Sequence, residues 1–271
     1  MALTAFVLGG GGILGAAEVG MLAALAEHGI APDLVLGASV GAINGAAYAA
    51  EPGPAAAGRL RSMWADLGSH DVFGGNVVNQ IGTLARTRTH LHDNAGLRGL
   101  LSAHLPTKTF EGLAVPFQCV AASIERAAAH WFFSGPLVDA VLASCAVPGV
   151  LPPVRVGDEH FLDGGLVDSL PVGRALALGA TEVYVLHVGR LERPLAPPRW
   201  PWEVAAVAFE IARRSRFTDH MASVPDGVNV HILPTGIEKT PLANVRFRST
   251  RQVAERIDSA QAATAAYLRE R

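Results

Sequence analysis

One serine in the chain has the neighbours expected of a nucleophile. Ser39 lies at the centre of Gly37-Ala38-Ser39-Val40-Gly41, which follows a short apolar run and precedes a run of small residues. This order predicts a strand, a sharp turn and a helix, and such a turn exposes a serine hydroxyl at the sheet edge. The glycines at 37 and 41 allow the strand and the helix to approach closely. Ser39 is therefore our candidate nucleophile, although the pattern also fits a serine that caps a helix.

A serine nucleophile needs a base, and Asp163 is the acidic residue with the most suitable surroundings. It follows the apolar pair Phe161-Leu162 and precedes Gly164 and Gly165, where chain and ligand can come close. A carboxylate is a weak base in water, with a pKa of about 3.9, but burial raises that value. Asp163 also fits a turn in which the carboxylate caps backbone amides. Alternative bases are the histidines of the predicted strands, His160, His187 and His231, none of which has a distinguishing sequence context.

A third cluster of glycines follows the first predicted strand. Gly10, Gly12 and Gly15 match the Gly-x-Gly-x-x-Gly pattern of dinucleotide-binding turns. That binding mode also needs an acidic residue at the end of the second strand, whereas Asp33 precedes that strand. Backbone N–H groups of Gly10, Gly11 and Gly12 at a helix N-terminus form a positive pocket, which next to the serine is an oxyanion hole. A nucleotide-binding module remains the weaker alternative.

The elements that position these residues follow an α/β pattern. Apolar runs predict strands over residues 3–8, 34–36, 115–122 and 182–188, with helical patterns between them. Residues 154–162 contain a Gly-Asp turn that predicts a hairpin, and Pro171 is expected to be the first residue of a helix. Residues 51–106 lack strand signals, and we expect a helical cap over the strand ends there. We expect one domain over residues 1–271, with three α/β/α layers around a mainly parallel central sheet.

Composition excludes several classes of function. The 271 residues are 50% hydrophobic with a net charge of −2, which favours a well-buried core and argues against a nucleic-acid partner. The two cysteines, Cys119 and Cys145, have no metal-site spacing and suit a reducing compartment, so we expect a cytoplasmic location and no metal. No stretch has the length and apolarity of a membrane span.

Taken together, the motifs resemble those of the patatin-like phospholipase family. The resemblance rests on Gly10–Gly15, Gly37–Gly41 and Asp163–Gly165, and extends to Ala143–Pro153 and Leu166–Val172. Order and spacing agree over about residues 3–188. Two positions depart from the family pattern, because Leu14 stands where Arg or Lys is usual and Ser169 stands where Asn is usual. The missing cation at position 14 bears on anion stabilisation and substrate choice.

This resemblance implies a patatin-like fold and a serine lipid acyl hydrolase with a Ser39–Asp163 dyad. It also implies an acyl-enzyme intermediate, an oxyanion hole around Gly11 and Gly12, and no metal or organic cofactor. The expected substrate is a phospholipid or another lipid ester. An esterase or acyltransferase that acts on a soluble ester is the second hypothesis.

A predicted helix over residues 203–217 raises the question of membrane contact. It follows a proline-rich stretch with Trp200 and Trp202, has an apolar stripe, and ends in several arginines. These features fit peripheral contact with a membrane interface. They fit equally a helix that packs on the core with cations at its C-terminus, and we favour this second interpretation.

Overall fold

A central sheet of eight strands organises the computed structural model, which describes residues 2–69, 90–188, 194–236 and 250–271. The strands are β1 (Thr4–Leu8), β2 (Leu34–Ala38), β3 (Phe117–Ser123), β4 (Ala128–Phe132), β5 (Val154–Val156), β6 (Glu159–Asp163), β7 (Glu182–Leu186) and β8 (Asn229–Ile232). Five of them run parallel in the order β3-β2-β1-β7-β8. Their carboxyl ends therefore share one edge of the sheet, which is where ligands bind in open α/β folds.

Helices cover both faces of this sheet. Those that the structure describes are α1 (Ala16–Glu27), α2 (Val40–Ala50), α3 (Pro54–Ser69), α4 (Ala95–His104), α5 (Leu137–Ser144), α6 (Gly165–Asp168), α7 (Val172–Ala177), α8 (Pro201–Ala222) and α9 (Thr250–Arg269), with 3₁₀ turns at Gly12–Gly15 and Phe110–Gly112. Two apolar clusters separate the layers. On one face, side chains of α1 to α5 and α9 pack with Phe6 and Leu8, and on the other, α7 and α8 pack with Ala5 and Val7.

This division follows from the period of a strand. Successive side chains of β1 point to opposite faces, so a run that is apolar throughout has both faces buried. The same alternation occurs in β2, where Val35 belongs to one cluster and Leu36 to the other. The predicted three-layer α/β/α architecture with a mainly parallel sheet is confirmed.

The segment predicted as a cap is helical in its described parts. Leu60 and Trp64 of α3 and Leu97 and Leu101 of α4 are at most 1% exposed and join the core on the α1 side of the sheet. Residues 70–89 of the segment lie outside the described residues, and the covering of the strand ends stays a prediction.

We also propose that residues 1–271 form one domain, since α9 packs directly on α1. The support for close packing is at Gly20 of α1, where a Cβ atom would lie 2.1 Å from the carbonyl oxygen of Ile257.

The antiparallel part of the sheet matches the predicted hairpin. β5 and β6 pair around the two-residue turn Gly157-Asp158, and Gly157 has a positive φ of 61°. Pro171, expected as the first residue of a helix, lies directly before α7. α8 is longer than the predicted helix at both ends, because it begins at Pro201 and ends at Ala222.

Candidate active site

Ser39 occupies a strained turn between β2 and α2. Its φ of 55° and ψ of −126° lie in a region that non-glycine residues rarely adopt, at a cost of roughly 1–3 kcal/mol. Close packing leaves the turn little room, because a Cβ atom at Gly41 would lie 2.4 Å from the carbonyl oxygen of Leu8. Ser39 is the N-cap residue of α2 but makes no side-chain cap hydrogen bond, so helix capping does not explain this serine.

Strand β3 brings the aspartate to the serine. Val120 pairs with Ala38 at the end of β2, and the next residue, Ala121, pairs with Asp163 at the end of β6. β4 pairs along the other edge of β3, so β2 and β6 lie on the same edge and meet end to end. Two residues that are 124 positions apart in the sequence are thus set side by side.

The two side chains are in direct contact. The Ser39 hydroxyl donates a hydrogen bond of 2.6 Å to Asp163 Oδ2, and the Gly165 N–H donates one of 2.7 Å to Asp163 Oδ1. Asp163 therefore combines both interpretations of its sequence context, because one carboxylate oxygen caps the turn and the other accepts from the serine. Ser39 is 8% exposed and Asp163 1% exposed.

Burial makes Asp163 a stronger base than an exposed aspartate. Desolvation raises the pKa of its carboxyl to about 6, against the opposing effect of the hydrogen bonds from Ser39 and Gly165. At neutral pH the group is mostly ionised, yet close enough to its pKa to accept a proton during a reaction.

The glycine turn lies against the serine, as predicted. A Cβ atom at Gly10 would lie 3.3 Å from Ser39 Cβ. One of the three predicted oxyanion donors is already occupied, however, because the Gly10 N–H donates to the carbonyl oxygen of Ser169 at 3.0 Å. Gly11 and Gly12 are exposed, and among the described residues nothing accepts a hydrogen bond from their N–H groups. The available donors are therefore those of Gly11 and Gly12, not Gly10.

The other motif glycines are also sites of close approach. A Cβ atom at Gly164 would lie 2.1 Å from the carbonyl oxygen of Val120, so no other residue fits the turn that follows Asp163. Similarly crowded positions are Gly15, Gly37 and Gly165, each with a neighbouring atom closer than 3.0 Å to the added Cβ. The glycine spacing read from the sequence reflects these contacts.

The three histidines considered as bases have contacts elsewhere. His160 pairs with Glu125 at 2.7 Å, and His231 lies 3.1 Å from Glu182. His187 follows β7, which is separated from β2 by β1, so the two strands lie about 10 Å apart. Burial lowers the pKa of His187 to about 4. Asp163 is the titratable group in contact with the Ser39 hydroxyl.

A buried polar network that the sequence analysis missed ties the glycine turn to the serine helix. Asn44 of α2 donates to the carbonyl oxygen of Gly15 at 2.9 Å and to Glu18 Oε2 at 2.7 Å. Its own amide oxygen accepts from Trp64 Nε1 at 2.8 Å. Burial raises the pKa of Glu18 well above its usual range. Glu18 and Asn44 are polar residues within otherwise apolar helices, and this contrast was the sequence signal that could have predicted the network.

The described residues also bear on the expectations about metals, membrane spans and cysteines. Within them, no group of three or more His, Cys, Asp or Glu side chains is arranged to hold a metal ion. Across the same part of the chain, helices long and apolar enough to cross a membrane are absent. Cys119 and Cys145 are both buried, and both are free thiols outside any disulfide.

Comparison with known proteins agrees with the motifs. The chain is 34% identical over 187 residues to patatin-like phospholipase domain-containing protein 7 of Rattus norvegicus, a match that covers 68% of this chain and 13% of that protein. It is 30% identical over 194 residues to lysophospholipase NTE1 of Mycosarcoma maydis, covering 69% of this chain and 10% of the other. The chain thus spans a small part of the length of these relatives.

The fold also has a counterpart among solved structures. VipD from Legionella pneumophila superposes with a TM-score of 0.50 and 13% identity, over 99% of this chain and 67% of that one. At this identity the likeness concerns the fold alone. The model of the family described as patatin-like phospholipase matches residues 6–176, more than half of the 271 residues. The chain therefore belongs to the patatin-like phospholipase family.

Proposed function

We propose that the chain is a serine hydrolase that cleaves fatty acyl ester bonds of phospholipids or other lipid esters. The observation that supports this most is the 2.6 Å hydrogen bond from the Ser39 hydroxyl to the buried Asp163 carboxylate. The family and its lysophospholipase relatives favour a lipid ester as substrate.

In the proposed acylation step, Ser39 Oγ attacks the ester carbonyl carbon while its proton passes to Asp163 Oδ2. The tetrahedral oxyanion accepts hydrogen bonds from the N–H groups of Gly11 and Gly12, which lie at the N-terminus of a helical turn. The intermediate then collapses, and the leaving alcohol takes the proton from Asp163. The acyl group remains bound to Ser39 as an ester.

Deacylation repeats these steps with water as the nucleophile. Water gives a proton to Asp163 Oδ2 and attacks the acyl carbonyl carbon. When the second tetrahedral intermediate collapses, Ser39 Oγ leaves and recovers the proton. The Gly165 N–H on Asp163 Oδ1 keeps the other oxygen directed at the serine throughout.

A soluble ester is the second candidate substrate, and an acceptor alcohol in place of water would make the protein an acyltransferase. A panel of esters with acyl chains from two to sixteen carbons separates these hypotheses. We expect kcat/KM to rise with chain length by at least about tenfold, because each methylene that leaves water contributes about 0.8 kcal/mol.

Equal rates across the panel would contradict a lipid substrate while leaving the hydrolase in place. Faster product formation with an added alcohol, as acyl transfer to that alcohol, would favour the transferase.

We also propose that α8 contacts a lipid surface. Val204 and Ile211 are 53% and 55% exposed, at a spacing that places them on one face of the helix, and Trp200, 56% exposed, directly precedes the helix. The apolar stripe of this helix, Val204, Val207, Phe209 and Ile211, was expected to pack on the core, but Val204 and Ile211 are exposed to solvent. Phe209 of the same helix packs 2.6 Å from the position of a Cβ at Gly165, so α8 crosses next to the Asp163 turn. A lipid bound to the exposed face would therefore be separated from the Asp163 turn by the width of the helix, about 10 Å.

The double variant Val204→Ser/Ile211→Ser tests this contact. We expect its binding to phosphatidylcholine vesicles, measured by co-sedimentation, to fall by roughly tenfold or more, since two half-exposed aliphatic side chains lose their transfer free energy. Ile124→Ser, which removes an isoleucine 46% exposed on the β3–β4 turn, serves as the matched control. Equal binding by the double variant and the wild type would rule out the α8 face as the contact.

A further inference from the structure

The backbone of Ser39 is held from both sides by two side chains at the end of α5. The Ser39 N–H donates to Ser144 Oγ at 2.9 Å, and the Cys145 thiol donates to the Ser39 carbonyl oxygen at 3.1 Å. Ser144 is fully buried and Cys145 is 4% exposed. No local sequence pattern predicts a role for either side chain.

The same segment of the chain also holds the acid, through backbone carbonyl groups of Ser144 and Ala146. The Ser144 carbonyl oxygen accepts from the Gly164 N–H at 3.0 Å, and the Ala146 carbonyl oxygen accepts from the Asp163 N–H at 2.9 Å. Residues 144–146 therefore contact the backbone on both sides of the Ser39–Asp163 hydrogen bond. Among these contacts, only those of Ser144 Oγ and Cys145 Sγ depend on a side chain.

The two side-chain hydrogen bonds differ in how much their loss would cost. The Ser39 carbonyl oxygen also accepts from the Ala42 N–H at 2.8 Å, so the Cys145 thiol is a second donor to an oxygen already satisfied. The Ser39 N–H has Ser144 Oγ as its partner, at a residue that is 8% exposed. Loss of that acceptor leaves a largely buried donor unpaired, which is costly.

The backbone strain at Ser39 gives this hydrogen bond a function. A residue at φ 55° and ψ −126° keeps that conformation only while its surroundings hold it there. A change in the φ of Ser39 turns its Cα–Cβ bond relative to β2, so relaxation of this strained φ would redirect the hydroxyl away from Asp163.

We propose that Ser144 is a positioning residue for the nucleophile, whose hydroxyl holds the Ser39 amide and thereby aims the Ser39 hydroxyl at Asp163. The proposal rests on the proposed hydrolase function. It also assigns the Ser39 N–H to Ser144, which leaves oxyanion binding to Gly11 and Gly12.

The variant Ser144→Ala tests the role of the hydroxyl. We expect kcat and the second-order rate of labelling by a fluorophosphonate to fall about 10- to 100-fold, the scale of a 1 Å misplacement, with KM within threefold of the wild type. The pH at which the rate is half-maximal should not fall, because Asp163 stays buried and keeps the hydrogen bond from the Gly165 N–H, while a weaker bond from Ser39 can only raise the pKa of the carboxyl. Thermal unfolding is measured alongside, and the rates are compared on folded protein.

Two further variants keep the test decisive. Ser144→Cys preserves the shape but offers a weak sulfur acceptor, so it should be impaired in the same direction even if the alanine variant does not fold. Ser123→Ala removes another buried serine hydroxyl, one in β3 that donates to Glu159 of β6, and should keep the wild-type rates.

Wild-type labelling and kcat in a folded Ser144→Ala or Ser144→Cys variant would overturn the proposal. A loss of rate accompanied by a pH midpoint shifted downward would also overturn it, since that result indicates that the Asp163 carboxyl has moved toward solvent. Failure of the proposed hydrolase function can be told apart from failure of the Ser144 proposal. If Ser39 is not the nucleophile, Ser39→Ala keeps its activity, whatever the Ser144 variants show.

Discussion

Ser39→Ala is expected to lose ester hydrolysis almost completely, with kcat reduced at least about 10⁴-fold. The variant has no oxygen to form the acyl-enzyme, and loss of a nucleophile removes most of the rate that a serine dyad or triad supplies. The fold should persist, because the Ser39 side chain makes one hydrogen bond, to Asp163, and the backbone contacts of Ser144 and Cys145 remain. Steady-state rates and thermal unfolding on the same preparation measure both effects.

The matched control for this substitution is Ser123→Ala, which removes a buried serine in β3 and should retain activity. A folded Ser39→Ala protein that hydrolyses esters at the wild-type rate would show that another residue is the nucleophile.

Asp163→Asn is expected to lower kcat at least about 10³-fold while the protein stays folded. The amide has the shape of the carboxylate but cannot take the proton, and only one of its two terminal atoms is an acceptor. The Gly165 N–H keeps an acceptor if the amide oxygen faces it, so the turn itself should persist. Steady-state kinetics at pH 8, where the wild-type carboxylate is ionised, measures the loss.

Asp168→Asn is the matched control for the acid. Burial raises the pKa of Asp168 to about 6 as well, against the effect of His220 and Arg216, so it is a second buried aspartate with a similar titration. No contact joins it to Ser39 among the described residues, and we expect its rate to stay within tenfold of the wild type. Wild-type turnover by Asp163→Asn would contradict the dyad and restore a histidine as the candidate base.

Much of the fold could be predicted because buried parallel strands have a plain signal. The runs at β1, β2, β3 and β7 are short, apolar and bounded by turns, and the hairpin β5–β6 has a Gly-Asp turn. Asp163 could be predicted as a partner of Ser39 because each follows an apolar run and neighbours glycines. The two residues meet because of β3, in which Val120 pairs with the end of β2 and Ala121 pairs with the end of β6.

Other features of the site depend on contacts that no local pattern encodes. The Gly10 N–H was expected in the oxyanion hole, but its donation to Ser169 follows from the packing of a segment about 160 residues later. The role of Ser144 likewise requires the end of α5 to lie against the serine turn. The exposed side of α8 was misjudged because Val204 and Ile211 have the spacing of core residues yet lie on the face opposite Phe209 and Phe217.

The direct test of the central claim is the pH dependence of fluorophosphonate labelling at Ser39, with the labelled peptide identified by mass spectrometry. Asp163 is the proposed base and must be ionised, and its raised pKa means that the ionised form is lost as pH falls through about 6. The account predicts a labelling rate that is constant above about pH 7, falls with a midpoint near 6, and keeps this midpoint in Asp168→Asn. Labelling of Asp163→Asn at the wild-type rate with the same midpoint would contradict it.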